Sequence, residues 1–161
     1  VIQKVSELIT LKQTPIIIEE QVSYVSPDSH VNQLNQISSW LENWRKSWET
    51  KDIDAYIEHY DQQFKSLGMN RSLWKSYKEN LNTRYQFIQV QTQDPLILVH
   101  NNEAVIKFMQ HYQSDLKSDY GEKTLYLKKD ASGEFKIVGE EWSAVGKKIT
   151  AAELKASNEN L

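Results

Sequence analysis

The chain has 161 residues, enough for one domain with a short appendage. Its net charge of −3, from 19 basic and 22 acidic residues, supplies no basic surplus for nucleic acid or an anionic membrane surface. No apolar run reaches the roughly 18 residues of a membrane span, and the absence of cysteine excludes disulfides, thiolate metal sites and a cysteine nucleophile within the chain.

Residues 1–29 read as a connector, or as the tail of an upstream domain. Val1 to Ile9 suits a short helix. Thr14-Pro-Ile-Ile-Ile18 opens an extended, β-branched segment reaching Val25, and Ser26-Pro-Asp-Ser29 reads as a turn. A start at Val1 without a signal-like segment leads us to expect a processed or partial product of something longer. The domain proper is expected over residues 30–145.

Its first helix is predicted from Val31 to about Thr50. Trp40, Trp44 and Trp48 recur every four residues, so they share one helix face with Leu34, Ile37 and Leu41. Three indoles on one stripe call for burial against something broad, and the rim of such a stripe can also line a pocket. Asp52 suits an N-cap for a second helix, Ile53 to Phe64, with Tyr56, Ile57 and Tyr60 at helical spacing. Gly68 breaks the chain, and Asn70 or Ser72 can cap a third helix to about Tyr85.

After Tyr85 the apolar period changes from 3.6 to 2, which predicts four strands. The first is Phe87 to Val99, with a bulge or bend at Asp94-Pro95. A turn at His100 to Glu103 leads to the second, Ala104 to Ser114. Lys117 to Glu122 is expected as a turn, Lys123 to Lys129 as the third strand, and Phe135 to Trp142 as the fourth, after a turn in which Gly133 suits positive φ. Residues 146–161 suggest a frayed helix or disorder. Three helices followed by an antiparallel meander make an α+β domain: helices packed on a curved sheet of four or more strands, with a cone-shaped space between.

This order, with Trp40, Trp44 and Trp48, then Lys51-Asp-Ile-Asp-Ala-Tyr56, Trp74-x2-Tyr77-Lys78, Lys107-Phe-Met-Gln110, Gly121-Glu-Lys-Thr124 and Lys136-Ile-Val138 before Glu140-Glu-Trp142, resembles the NTF2-like (SnoaL-like) cone. Among its members it is similar to the C-terminal domain attached to bacterial L,D-transpeptidase-like enzymes, including cell-shape L,D-carboxypeptidases that trim peptidoglycan. The catalytic pattern of those enzymes, a histidine followed by a Ser-x-Gly-Cys word, is not in this chain, so the resemblance carries over no catalytic residue. It implies an accessory domain in the periplasm or cell envelope, working with an upstream L,D-transpeptidase-like domain, and binding a peptidoglycan fragment or mediating a homodimer. It implies no cofactor.

The inward faces of the strands supply candidate ligand groups. Gln110, between Phe108 and Tyr112 on one strand face, forms a polar track with Ser114. Trp44, Trp48, Tyr56, Tyr60, Tyr112, Tyr126 and Trp142 could make an aromatic, hydroxyl-bearing lining, a surface that suits sugars or peptides. Glu140 and Glu141 point to opposite faces of a strand. Whichever faces inward needs a cation, for which Arg45, Arg84 and Lys123 are candidates, and Glu141 is counted with the lining. The four histidines, His30, His59, His100 and His111, show no metal-ligand spacing, and a His111–Asp115 pair on one strand face is the nearest approach to an acid–base couple. Asp115 and Asp119 lie in a solvated turn.

The sequence thus favours a non-catalytic accessory domain of a peptidoglycan-modifying enzyme. A stand-alone small-molecule enzyme using the cone cavity, through Gln110, Tyr112 and His111, is the alternative. A purely structural dimerisation module is a second, its interface on the outer sheet face where Val105 and Met109 alternate with Lys107 and His111.

Overall fold

Helix α1 (Pro27–Glu49) begins four residues before the expected Val31, in a computed structural model that describes residues 26–145. Ser26 supplies the reason. Its Oγ accepts the backbone N–H of Ser29 at 3.3 Å, and Pro27 takes the first helical position, where a missing N–H costs nothing. Ser26–Ser29 is therefore a helix start and not a turn. The expectations for residues 1–25 and 146–161 lie outside the described residues.

Helix α2 (Ile53–Glu58) is capped by Asp52, whose Oδ1 accepts the Ala55 N–H at 3.1 Å. It ends at Glu58, six residues short of Phe64. Tyr60 is drawn out of helical geometry by a parallel bridge to Ile137: the Ile137 N–H donates to the His59 carbonyl at 2.7 Å and the Asp61 N–H to the Ile137 carbonyl at 2.8 Å. Backbone pairing with a sheet edge here outcompetes two more helical turns. The chain then makes a short hairpin, β1 (Lys65–Ser66) and β2 (Met69–Asn70), which the sequence reading saw only as a break at Gly68. Leu67 and Gly68 turn the corner with φ of 50° and 73°, the paired positive values of a two-residue type I′ loop. Asn70 caps α3 (Arg71–Arg84) by accepting the Leu73 N–H at 2.9 Å.

The sheet is an antiparallel meander in the order β3 (Ile88–His100), β4 (Glu103–Ser114), β5 (Ser118–Lys129) and β6 (Phe135–Ala144). The register slips between Gln93 and Leu96, with Asp94 at φ 51°, so Asp94-Pro95 is a bulge as expected. Strand β5 starts at Ser118 and not at Lys123. The reversal before it needs only Asp115 to Lys117, because the Ser114 Oγ accepts the N–H groups of Leu116 and Lys117 at 3.2 and 3.0 Å. Gly121, expected in a turn, is instead paired with Gln110 on one side and Ala144 on the other.

Leu34 to Val145 lie in one compact unit. The period-2 pattern turns Ile88, Val90, Ile106, Phe108, Leu125 and Ile137 inward, where they are buried under the helices. Trp44 meets Phe108 edge-on with ring centres 6.0 Å apart, and Trp48 meets Tyr112 at 5.5 Å. Arg45 ties helix to sheet: it pairs with Glu42 and Glu49 and donates to the Val90 carbonyl at 3.2 Å, while Glu49 accepts the Val90 N–H at 2.8 Å. The result is the α+β NTF2-like cone, three helices on one face of a curved four-stranded sheet. Among the described residues no helix is long and apolar enough to cross a membrane.

Candidate functional site

The floor of the cone is a hydrogen-bonded chain that ends on a buried carboxylate. Glu140 faces inward on β6 and accepts from Lys123 Nζ and from the Tyr60 hydroxyl, each at 2.7 Å. Since the Tyr60 proton is committed to Glu140, the 2.6 Å contact between Tyr56 and Tyr60 has Tyr56 as donor. The indole N–H of Trp44 donates to the Tyr60 oxygen at 3.2 Å and that of Trp74 to the Tyr56 oxygen at 3.4 Å. Burial alone would raise the Glu140 carboxyl, but Lys123 and then Lys78 outweigh it and hold the group below its ordinary value. Burial, with the Glu140 charge second, pushes the Tyr56 and Tyr60 hydroxyls well above theirs, so both stay neutral.

Above this floor opens a cavity of about 190 Å³. Trp48, Trp74, Tyr112 and Trp142 form aromatic walls, and Lys78, Lys123 and Gln110 supply polar groups together with the Lys117–Asp119 ion pair. Lys78 belongs to the apolar face of α3, one turn after Trp74, and only 9% of it is exposed. Its Nζ sits over the rings of Trp48 and Trp74, at 4.4 and 4.9 Å from their centres. Desolvation, reinforced by the like charge of Lys123, pushes this amine down to about 7. Gln110 is 3% exposed, and among the described residues its Oε1 is the buried side-chain acceptor left without a partner. Lys123 is thus paired with Glu140 and Lys117 with Asp119, while Lys78 has no ion-pair partner among the described residues and sits in a cavity that also holds an amide with unused hydrogen-bonding capacity. That arrangement suits an anion that also carries an N–H donor.

Of the residues expected in the lining, Trp48, Gln110, Tyr112 and Trp142 border this cavity. Trp44, Tyr56 and Tyr60 are fully enclosed core, spent on the hydrogen-bonded chain and on packing. Ser114 is occupied by the turn it closes. Tyr126 and Glu141 project from the outer sheet face, where the tyrosine hydroxyl donates to Glu141 at 3.1 Å: strand alternation turns Glu140 in and Glu141 out. The cation for Glu140 is Lys123, whereas Arg45 is engaged on α1. His111 and Asp115 do not pair, for His111 Nε2 faces the Ser118 hydroxyl at 3.3 Å and Asp115 accepts the Gln86 N–H at 2.9 Å. Asp119 pairs with Lys117 at 2.9 Å. Among the described residues no cluster of side chains has metal-ligand composition. Lys78 escaped the sequence reading as a site residue, although a lysine at the spacing of Trp74, Lys78 and Leu81 stands on an apolar helix face, which was the available signal.

Residues 36–141 match the family described as the Cds6 C-terminal NTF2-like domain. Among solved structures, the chain is similar to Bd1075 of Bdellovibrio bacteriovorus, with 38% identity and a TM-score of 0.72 over 78% of this chain and 45% of that one. It is also similar to the helical cell shape determining protein Pgp2 of Campylobacter jejuni, with 27% identity and a TM-score of 0.53 over 63% of this chain and 38% of that one. The chain therefore spans less than half the length of these two relatives. A putative scytalone dehydratase from Novosphingobium aromaticivorans shares the fold, at 12% identity and a TM-score of 0.65 over 75% of this chain and 89% of that one. A comparison with curated proteins finds no match.

Proposed function

The chain belongs to the Cds6 C-terminal NTF2-like domain family, and from that premise we propose that it is a non-catalytic accessory domain of a cell-envelope enzyme, holding an acidic peptidoglycan peptide for an upstream L,D-transpeptidase-like domain. The observation that carries this reading is the composition of the cone cavity. Lys123 pairs with Glu140 and Lys117 with Asp119, so Lys78 is left without an ion-pair partner among the described residues, and the unpartnered Gln110 Oε1 lines the same cavity. A free peptide C-terminus offers what is missing, a carboxylate for the Lys78 ammonium and a neighbouring amide N–H for the Gln110 oxygen, while its side chain rests on indole. The similarity to a protein titled as determining helical cell shape supports the envelope setting, and the proposed location is periplasmic or at the cell wall.

The test is calorimetric titration of the chain with a peptidoglycan stem tetrapeptide and with its C-terminal amide. The free acid binds, the amide binds at least tenfold more weakly, Lys78→Met abolishes the difference, and mass spectrometry finds the peptide unaltered. Equal affinity for acid and amide would remove the carboxylate from the argument, and a shortened peptide would make the domain an enzyme.

One observation favours a second reading, a small-molecule enzyme in the same cone. The Lys78 amine, at about 7, is a proton acceptor of useful strength facing the cavity beside Gln110 and Tyr112. On that reading Lys78→Met would abolish a turnover measured on the isolated chain.

A further inference from the structure

The cone cavity has a neighbour. Where the β1–β2 hairpin crosses the edge of β6, an open groove of about 380 Å³ runs past Lys65, Ser66, Tyr126, Gly139, Glu140 and Glu141, with the Glu140 carboxylate turned away onto Lys123. Leu67 and Trp142 border both spaces, so these two side chains stand between the groove and the inner cavity.

Both side chains are held in a manner the fold alone does not require. Leu67 has φ 50° and is 82% exposed. A bulky residue in the left-handed region is disfavoured, the first position of a type I′ turn prefers asparagine, and an exposed leucine gains little burial in exchange. Strain of this kind persists where a binding surface needs the side chain. Trp142 is 38% exposed, yet its ring is closely seated. A Cβ on Gly121 would lie 2.3 Å from the Ser143 carbonyl oxygen and 2.9 Å from the indole Cη2, so the bare glycine admits both the β6 backbone and the tip of the indole.

The floor of the groove is aromatic and its charge is balanced. Tyr126 is fixed by its hydrogen bond to Glu141, and its register partner is Gly139, which has no side chain to cover the ring. The Ser66 hydroxyl donates to the Glu140 carbonyl at 2.7 Å and keeps its lone pairs for a second donor. Lys65 and Glu141 bring one charge of each sign, in contrast to the cationic inner cavity. Exposed aromatic faces edged by a carboxylate, an ammonium and a hydroxyl match a pyranose ring, whose C–H face packs on aromatics while its hydroxyls take directed hydrogen bonds.

We propose that this groove is a second binding site, for a neutral pyranose sugar, and that Leu67 and Trp142 clasp the point where a ligand passes from the groove into the inner cavity. The proposal deepens the function above and rests on it for the occupant of the inner cavity: one ligand would place a sugar outside and an acidic peptide end inside.

The probe is triacetylchitotriose, a neutral N-acetylhexosamine trimer, followed by two-dimensional NMR on the 161-residue chain. Saturable shifts are expected at Leu67, Gly139, Glu141 and the Trp142 indole. Tyr126→Ala and Leu67→Asn should each weaken binding about tenfold. Leu67→Asn separates function from folding, because asparagine suits the turn and the variant should melt at the same temperature or higher. Absence of saturable shifts, shifts confined to Gln110 and Tyr112, or affinity unchanged in both groove variants would each overturn the proposal. The inner-cavity reading fails by a different result, namely stem-peptide binding insensitive to Lys78→Met.

Discussion

Lys78 shows how a single side chain can be costly to the fold and useful to a ligand. In the unfolded chain its amine has the ordinary lysine value; in the fold it is down at about 7. Between those values the unfolded state binds more protons, so stability rises with pH across the window, and below about pH 7 the full cost of a buried ammonium is present. Lys78→Met, which keeps the length of the side chain, should therefore stabilise the protein at pH 6. The gain should shrink by about 1.4 kcal/mol per pH unit between pH 7 and 10, as measured by urea denaturation at several pH values. The slope has the same sign for Glu140, but there the ionised group stabilises the fold instead of costing it. Its lowered carboxyl contributes stability that is present above the ordinary glutamate value and is lost as pH falls through its folded value. Glu140→Gln leaves the Lys123 ammonium buried and uncompensated, a loss of about 3–5 kcal/mol, readable as a shift in urea midpoint. At this scale the sequence was partly legible. It shows that one of Glu140 and Glu141 must face inward and need a cation, and it offers Lys123. It does not distinguish Gln110, whose partnerless oxygen depends on the surroundings of a cavity, from a glutamine satisfied by backbone.

At the scale of elements, local signals were read well where one group decides the outcome. Asp52 and Asn70 cap their helices because each side chain accepts a particular N–H. Asn70→Ala should cost about 1 kcal/mol, seen as a lower melting temperature with the sheet signal in circular dichroism retained. Signals failed where a distant partner decides. Nothing within residues 53–64 shows that Ile137 will capture Tyr60 and stop α2 at Glu58. Likewise Gly121 resembles a turn residue when read alone, but it is a strand residue kept glycine chiefly by the close β6 backbone at Ser143 and Ala144. Gly121→Ala should displace Trp142 or the β6 backbone. A change in near-ultraviolet circular dichroism and a destabilisation of about 1–3 kcal/mol would report it.

Across the whole molecule, aromatic side chains join the helices to one another and to the sheet, where Trp44 meets Phe108 and Trp48 meets Tyr112. Trp44, Trp48, Tyr56, Tyr60, Phe64 and Trp74 follow one another with neighbouring ring centres 4.9 to 6.2 Å apart. The helical stripe of tryptophans made this burial legible, since three indoles on one face require a broad partner surface. The conical hollow beneath it was legible from the element order only on the condition that the sheet curls, and the family resemblance supplied that condition, because strand curvature does not follow from the period of a pattern. Trp44→Ala removes the most enclosed indole and should cost about 3–5 kcal/mol, measured by calorimetry.

The seat of Lys78 over two indoles of this cluster, Trp48 and Trp74, has an optical consequence. A charge held 4.4 Å from the centre of an indole ring perturbs its excited state more than its ground state, because excitation moves electron density across the ring. The ammonium over Trp48 therefore acts as a built-in electric field that turns off when the amine loses its proton. The intrinsic emission of the unlabelled protein should change colour through a single step near pH 7 and show no such step once Lys78 is methionine. The chain would thus signal the protonation state of its own cavity without any added dye.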